Sequence, residues 1–197
     1  MAKTKNPKKP KYIYQLKISL NEIKPPIWRR FIVDPEIKLP DLHKIIQTVM
    51  GWANTHLHHF YKDNIFYSLP DEDFEDYYID YRKIKLNHLL FDVKQKLYYE
   101  YDFGDGWNHT IVLEKIVPAD MYPIVPICIA GRRNCPPEDC GGPYGYYELC
   151  SIISNPRHKE YKEMVEWLGG GYDPEFFDIQ YINFNLQTKD YGCFIFS

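Results

Sequence analysis

The sequence predicts an α+β fold, a single domain in which helices cover a mainly antiparallel sheet with a central β-hairpin over about residues 97–116. A chain of 197 residues that is 45% hydrophobic can bury one substantial core. Aromatic residues make up 17% of the chain, and their side chains fit the pleated surface of a sheet. The hairpin follows from two alternating runs of strand-forming residues around Gly104-Asp105-Gly106, because glycine accepts the positive φ angles of tight turns.

Alternation and helical spacing place the other elements along the chain. Residues 12–20 alternate cleanly between apolar and polar side chains, which is typical of a strand with one buried face. Apolar residues recur at helical spacing after Pro40, and Gly51 is expected to end that helix. Asp173-Pro174 has the composition of a helix start. We therefore predict strands near residues 12–20, 27–33, 57–69, 97–116 and 124–130, and helices near residues 40–51, 146–154 and 156–168.

The register of the hairpin decides which side chains share a face. A two-residue turn would set Asp102 opposite His109, as an acid–imidazole pair. A three-residue loop over residues 104–106 would instead pair Phe103 with Trp107, leaving His109 on the aromatic face and Asp102 on the polar face. We expect the three-residue loop, because it separates apolar from polar side chains better and a one-residue slip would move every side chain to the wrong face.

The amino terminus differs in composition from the rest of the chain. Residues 1–11 contain five lysines and no acid, which predicts a disordered basic arm ahead of one domain over residues 12–197. This composition is consistent with two interpretations. The arm is a solubilising tail, or it contacts nucleic acid. Such contact would weaken as salt is added and when residues 1–11 are deleted.

The net charge, the apolar runs and the number of cysteines indicate the cellular environment of the protein. The net charge is −3, whereas a protein that binds nucleic acid or an anionic membrane through its overall charge carries an excess of positive charge. No apolar run approaches the length of a membrane span, and the start of the chain lacks the apolar segment of a signal peptide. The five cysteines form an odd set, which favours reduced thiols. We therefore expect a cytoplasmic protein without a membrane partner.

Two stretches carry polar and aromatic side chains that a turn does not need. They are the hairpin tip and a loop rich in proline and glycine over residues 131–147. We expect residues 136–145 to pack beside the hairpin tip and to form one wall of the main cleft, because functional loops gather on a rigid scaffold. The binding-cleft candidates are Asp102, Asp105, Trp107, His109, Glu138, Asp139, Tyr146 and Arg29.

A metal site is a second candidate feature. Alternation on a strand would place His56 and His58 on one face, within reach of one ion such as zinc, and Asp102 or Glu138 could complete the shell. The competing interpretation is a polar strand face whose histidines bond to the backbone. The spacing Cys135-x4-Cys140 offers one close thiol pair where a zinc ribbon needs two, so idle thiols are expected there.

The acidic stretch over residues 71–80 holds six acids and no base. It lacks the spacing of an EF-hand and is predicted to be a solvated loop.

Five stretches of the chain match the motifs of a known family. They are PPIWRRFIV (25–33), LHKIIQTVMGWANTHLHHF (42–60), YEYDFGDGWNHTIVLE (99–114), PPEDCGGPYGYYEL (136–149) and DPEFFD (173–178). Through them the chain resembles the plasmid pRiA4b ORF-3-like family, whose members are also labelled passenger proteins of insertion elements. The resemblance covers roughly residues 12–186. It implies an association with plasmids and mobile elements but no established activity, so it supplies no catalytic residues.

The sequence supports two hypotheses about function. The first is a cytoplasmic, non-catalytic binding module, because no Walker loop, GxGxxG, GxSxG or HExxH motif occurs. The second is a metal-dependent enzyme, a hydrolase. Its site would draw on His56, His58, Asp102, Asp105, His109 and Glu138.

Overall fold

Eight strands form one sheet in the computed structural model, which describes residues 10–70 and 78–193. The strands are β1 Tyr12–Leu20, β2 Trp28–Val33, β3 His58–Lys62, β4 Ile65–Ser68, β5 Tyr78–Asp80, β6 Lys96–Tyr101, β7 Trp107–Pro118 and β8 Ile127–Arg132. The helices within the same residues are α1 Leu39–Met50, α2 Leu86–Leu89, α3 Gly142–Ile153, α4 Tyr161–Trp167 and α5 Ile179–Leu186. The predicted α+β fold is confirmed.

Parts of two predicted segments lie outside the described residues. They are residues 1–9 of the basic arm and residues 71–77 of the acidic stretch. The division of the chain into an arm and a domain at residue 12 therefore stays a prediction.

The sheet has the order β5-β4-β3-β6-β7-β1-β2-β8. All neighbouring strands pair antiparallel except β4 and β5, which are parallel. No helix in the described part of the chain is both long and apolar enough to cross a bilayer.

The hydrophobic core lies between the middle of the sheet and α1. Leu16 and Ile18 of β1 are fully buried, as is Ile111 of β7, because alternate residues of each strand point to the same face. Leu42 and Ile46 of α1 belong to the same core. Full burial of such a side chain contributes about 1.5–3 kcal/mol.

Helix α1 begins and ends where its sequence predicts. Pro40 occupies the first turn, where no amide donor is needed. Gly51 ends the helix with a left-handed φ of 101°, and its N–H donates to the carbonyl of Gln47 at 2.7 Å. The following residues, 52–57, therefore leave the helix at a fixed angle and pass across the hairpin tip.

The pairing predicted for the hairpin is wrong, although His109 does lie on the predicted aromatic face. Asp102, predicted on the polar face, lies in the loop outside both strands. Tyr101 pairs with Trp107 and Tyr99 pairs with His109, so five residues form the loop. The strand ends early because Asp102 takes a left-handed φ of 59° and its carbonyl accepts from the N–H of Gly106 at 2.6 Å. The pairing is shifted by two residues from the expected register, and a shift of two keeps His109 on the buried aromatic face.

Three helix boundaries also differ from the sequence prediction. Helix α3 begins at Gly142, four residues before the predicted start near residue 146. Helix α4 begins at Tyr161, after a series of turns over residues 155–160. No helix starts at Asp173-Pro174. Helix α5 begins instead after Asp178, whose carboxylate accepts from the N–H of Gln180 at 2.9 Å as an N-cap.

Arg29 lies inside the molecule, which corrects its prediction as a cleft residue. Its side chain is on the core face of β2 and the residue is 2% exposed. The guanidinium donates to the carbonyls of Val49 at 2.7 Å and of Arg132 at 2.9 Å, and it lies over the ring of Phe177 at 4.7 Å. Arg29 therefore ties α1 to the β2–β8 edge of the sheet and is not open to a ligand.

We expect Arg29→Met to lower the free energy of unfolding by about 3 kcal/mol, because it leaves buried carbonyls without donors. The control is Arg30→Met, which removes a partly exposed ion pair with Glu114 and is expected to cost less than about 1 kcal/mol. Urea denaturation at neutral pH measures both. Equal losses in the two variants would contradict the structural role assigned to Arg29.

Candidate functional site

The buried hydroxyl of Tyr101 joins the loop after α1, residues 52–57, to the loop rich in proline and glycine over residues 131–147, which we call the Pro-Gly loop. It accepts from the N–H of Thr55 at 2.9 Å and donates to the carboxylate of Glu138 in a short hydrogen bond. The same carboxylate accepts from the N–H of Ala53 at 3.2 Å. Trp52 adds a hydrogen bond from its indole N–H to the carbonyl of Pro136 at 3.1 Å. Residues 52–57 and residues 136–139 are thus held against the end of β6.

The hairpin tip is held to the same Pro-Gly loop. Asp102 Oδ1 accepts from the N–H groups of Gly104 and Asp105 at 3.0 and 3.3 Å, which fixes the turn. Asp105 Oδ2 then accepts from the N–H of Gly141 at 3.2 Å. The expected packing of residues 136–145 beside the hairpin tip is therefore confirmed.

Gly142 shows how close this contact is. Its φ of 67° is left-handed, and a Cβ at this position would lie 2.4 Å from the carbonyl oxygen of Asp105. Only glycine fits here without moving the backbone of one segment or the other.

Three potential metal ligands meet where these segments converge. His56 Nε2 lies 3.6 Å from Asp102 Oδ2 and 3.3 Å from Asp139 Oδ1. All three ligand atoms lie within 4.8 Å of one another. The arrangement can hold a cation that accepts one imidazole and two carboxylates.

The predicted pairing of His56 with His58 is corrected by this geometry. His56 precedes β3, which starts at His58, so strand alternation does not relate the two side chains. His58 Nε2 instead contacts the hydroxyl of Tyr81 at 2.9 Å, and its ring stacks on His43 with centroids 3.4 Å apart.

A closed hydrogen-bond cycle lies behind that stack. Gln47 Nε2 donates to the hydroxyl of Tyr99, which lies 2.9 Å from His43 Nδ1. His43 Nε2 lies 2.7 Å from Asn54 Oδ1, and the backbone N–H of Asn54 donates to Gln47 Oε1 at 3.1 Å. Because the amide oxygen only accepts, Nε2 carries the ring proton and Nδ1 accepts from Tyr99. Both nitrogens of His43 are therefore occupied.

Burial keeps these imidazoles uncharged at neutral pH. It lowers the pKa of His43 to about 4. The pKa of His58 is lowered well below its ordinary value, first by burial and then by repulsion from His43 and His59. The two stacked rings thus present neutral groups.

The His43–His58 stack borders a cavity of about 660 Å³, which we call the histidine pocket. Among the residues that the structure describes, the charged ones in its lining are Lys44 and Arg82, which pair with Asp190 and Asp80. The lining residues are Pro40, His43, Lys44, Asn54, His56, Leu57, His58, Ser68, Leu69, Pro70, Tyr78, Tyr81, Arg82 and Phe103.

The Pro-Gly loop borders a different cavity, so the expected single cleft is divided. Asp139, Cys140 and Gly145 line a groove of about 630 Å³ between α3 and α4. Burial raises the pKa of the Cys140 thiol to about 12 and raises the pKa of Cys135 further. These two thiols stay protonated, and a protonated thiol is a poor nucleophile and a poor metal ligand.

Three more cleft candidates belong to the core. Trp107 and His109 are fully buried, and Tyr146 is 1% exposed. Pleat alternation puts Trp107 and His109 on the helix-covered face of β7, which corrects their prediction as cleft residues. His109 Nδ1 lies 3.2 Å from the carbonyl of Tyr99, which it contacts in place of Asp102.

Sequence reasoning missed the tyrosines and amides that organise the site. It did not single out Tyr101 or Tyr99 of β6. His43 and Gln47 carry a usable signal, because they lie four residues apart on one side of a predicted helix. Nothing local to Asn54 predicts its place in the cycle.

Stability is expected to fall as the pH is lowered below about 6.5, the ordinary imidazole pKa. Burial lowers the pKa of His109 to about 3 and that of His43 to about 4, so the unfolded chain binds protons there that the folded protein does not. Urea denaturation between about pH 6.5 and pH 5 should show His43→Gln reducing the slope by about 1 kcal/mol per pH unit. The exposed-residue control His88→Gln should keep the slope, and an unchanged slope in both variants would contradict the assignment.

Comparison with known proteins identifies the family. The model of the plasmid pRiA4b ORF-3-like protein family matches residues 12–181. "Uncharacterized protein y4hQ" of Sinorhizobium fredii (strain NBRC 101917 / NGR234) is 39% identical over 163 residues, which are 82% of this chain and 84% of the relative. A crystal structure of a protein of unknown function, MM3350 from Methanosarcina mazei Go1, matches with a TM-score of 0.78 and 38% identity over 86% of this chain and 96% of that one. The chain belongs to the plasmid pRiA4b ORF-3-like protein family.

Proposed function

We propose that this protein is a non-catalytic binding module that takes a small, mainly apolar ligand into the histidine pocket. The main observation behind this proposal is the state of His43, which lines the pocket. Both of its ring nitrogens are hydrogen-bonded, to Tyr99 and to Asn54, and the ring is uncharged at neutral pH. Such groups orient a ligand by stacking and hydrogen bonding. They do not accept a proton readily, so they suit recognition better than acid–base chemistry.

The size and lining of the pocket support a small-molecule ligand. A volume of about 660 Å³ falls in the range of about 300–1,000 Å³ that is usual for ligand sites. Leu57, Leu69 and Phe103 supply apolar walls, and each is at least 45% exposed in the absence of a ligand. A ligand carboxylate or similar acidic group could share Lys44 and Arg82 with their partners Asp190 and Asp80.

A metal-dependent hydrolase is the second candidate, and the His56–Asp102–Asp139 group favours it. The residues that it would use do not all converge, because His109 is enclosed in the core. Glu138 is engaged with Tyr101 and Ala53. We therefore place catalysis second.

Location and partners belong to the same proposal. A cytoplasmic protein linked to plasmid or mobile-element biology fits the family and the odd set of cysteines. A nucleic-acid contact through residues 1–11 would be a separate property of the basic arm, and salt dependence would identify it.

We expect substituted benzoates to bind the histidine pocket more tightly than the matched benzamides, because the carboxylate could share Lys44 and Arg82, the charged groups in the described part of the lining. Saturation-transfer NMR on the full chain measures this binding. Leu57→Trp should fill the pocket and abolish the signal. Ile124→Trp is the matched control, because Leu57 and Ile124 are similarly exposed, at 65% and 59%, and Ile124 does not line the pocket.

Fragment binding that is equal in wild type and Leu57→Trp would place the ligand elsewhere. The same conclusion would follow if no member of the panel bound to the wild-type chain.

A further inference from the structure

We propose that His56, Asp102 and Asp139 bind one divalent transition-metal ion, and that zinc is the ion they suit best. The proposal stands on the geometry of the three side chains. It does not depend on a ligand in the histidine pocket.

The three ligands come from three separate segments that other contacts already hold together. His56 lies in the loop after α1, Asp102 in the hairpin tip and Asp139 in the Pro-Gly loop. The N–H of Asp102 donates to the carbonyl of Leu57 at 2.9 Å, which ties the first two segments beside the ligand atoms. An ion here would bind a site that is largely formed before it arrives.

Two of the three ligand separations fall in the range of tetrahedral coordination. Zinc binds imidazole nitrogen and carboxylate oxygen at about 2.0–2.2 Å, and the edge of such a tetrahedron is about 3.3–3.6 Å. His56 Nε2 lies 3.3 Å from Asp139 Oδ1 and 3.6 Å from Asp102 Oδ2. The two carboxylate oxygens complete a triangle whose sides are all at most 4.8 Å. The side chain of Asp139 is 71% exposed and is free to close the remaining gap.

The ring nitrogen of His56 provides a second, independent observation in favour of a bound ion. Its Nε2 is enclosed and makes no hydrogen bond, although two carboxylates lie within 3.6 Å. Enclosed polar atoms are normally satisfied. The facing side chain of Asp102 is only 10% exposed, and the amides of Gly104 and Asp105 orient its carboxylate through Oδ1. An ion between the ring and the carboxylates would satisfy both.

The donor set selects among cations. Magnesium and calcium prefer six or more oxygen ligands, whereas one imidazole with two carboxylates suits zinc or manganese. Three protein ligands leave a fourth tetrahedral position for water or a bound molecule. His56 also lines the histidine pocket and Asp139 lines the groove between α3 and α4, so the ion would lie beside both cavities.

Calorimetric titration of the EDTA-treated, untagged full chain with zinc chloride tests the proposal. We expect about one equivalent to bind, and we expect His56→Gln and Asp139→Asn each to weaken binding at least tenfold. His88→Gln and Glu148→Gln are the matched controls, since both residues are exposed and lie outside the group, and they should bind as wild type. Magnesium chloride should give no comparable binding.

Cobalt provides a spectroscopic readout of the same site. Tetrahedral cobalt absorbs strongly in the visible range, and that absorption should appear in wild type and be lost in both site variants. Asp139→Asn changes an exposed side chain, so its unfolding midpoint in EDTA should equal that of wild type and show that the fold is intact.

Three results would overturn the proposal. They are no stoichiometric zinc binding to the folded wild type, zinc binding that both site variants keep, and loss of binding in the controls as well. Benzoate binding by the EDTA-treated protein tests the histidine pocket separately, so failure of one proposal is distinguishable from failure of the other.

Discussion

One buried hydroxyl, that of Tyr101, connects the segments on which the candidate site depends. It stands at the last residue of β6, where the central hairpin leaves the sheet. Its hydrogen bonds reach Thr55 on one side and Glu138 on the other. Without this contact, two loops that are far apart in sequence would have fewer fixed points against the hairpin. The hydroxyl is enclosed, so the hydrogen bonds are worth more than they would be in water.

The neighbouring polar groups follow the same principle. The cycle of Gln47, Tyr99, His43 and Asn54 places polar atoms in the core, and each of its four links is a hydrogen bond. A complete network of this kind rigidifies the surrounding structure, whereas an incomplete one would destabilise it. The histidine pocket is built against this rigid wall, and the three candidate metal ligands lie around the same end of the hairpin.

Much of the fold could be predicted from local patterns in the sequence. Period-two alternation gave β1, and helical spacing with Pro40 and Gly51 gave α1, because these signals follow directly from which faces must be buried. The hairpin was predicted, but its pairing was not. The capping of the turn by Asp102 and its left-handed backbone ended β6 two residues earlier than the pattern of apolar residues suggested. The hydrogen bonds and backbone conformation of Asp102 thus had more effect on where β6 ends than the separation of apolar from polar side chains.

The candidate site was harder to predict, because its contacts join distant segments. The packing of the loop that carries Glu138 and Asp139 on the hairpin tip was predicted, because both stretches carry polar side chains that a turn does not need. Arg29, Trp107 and His109 were misplaced because polar atoms suggested exposure, whereas each is buried. Asp139 and His56 meet across a long stretch of chain, and no spacing rule in a single sequence encodes that distance.

The most direct test of the account is the coupling energy between Tyr101 and Glu138. A double-mutant cycle of Tyr101→Phe and Glu138→Ala, measured by urea denaturation, should give about 1.5–3 kcal/mol, the range for a hydrogen bond to a charged group. Alanine is used because glutamine would keep an oxygen that accepts from the hydroxyl. The control cycle of Tyr101→Phe with Glu148→Ala should give less than about 0.5 kcal/mol, because Glu148 is exposed on α3. A coupling between Tyr101 and Glu138 no larger than the control would contradict the account, since the two loops would then not be joined through this hydroxyl.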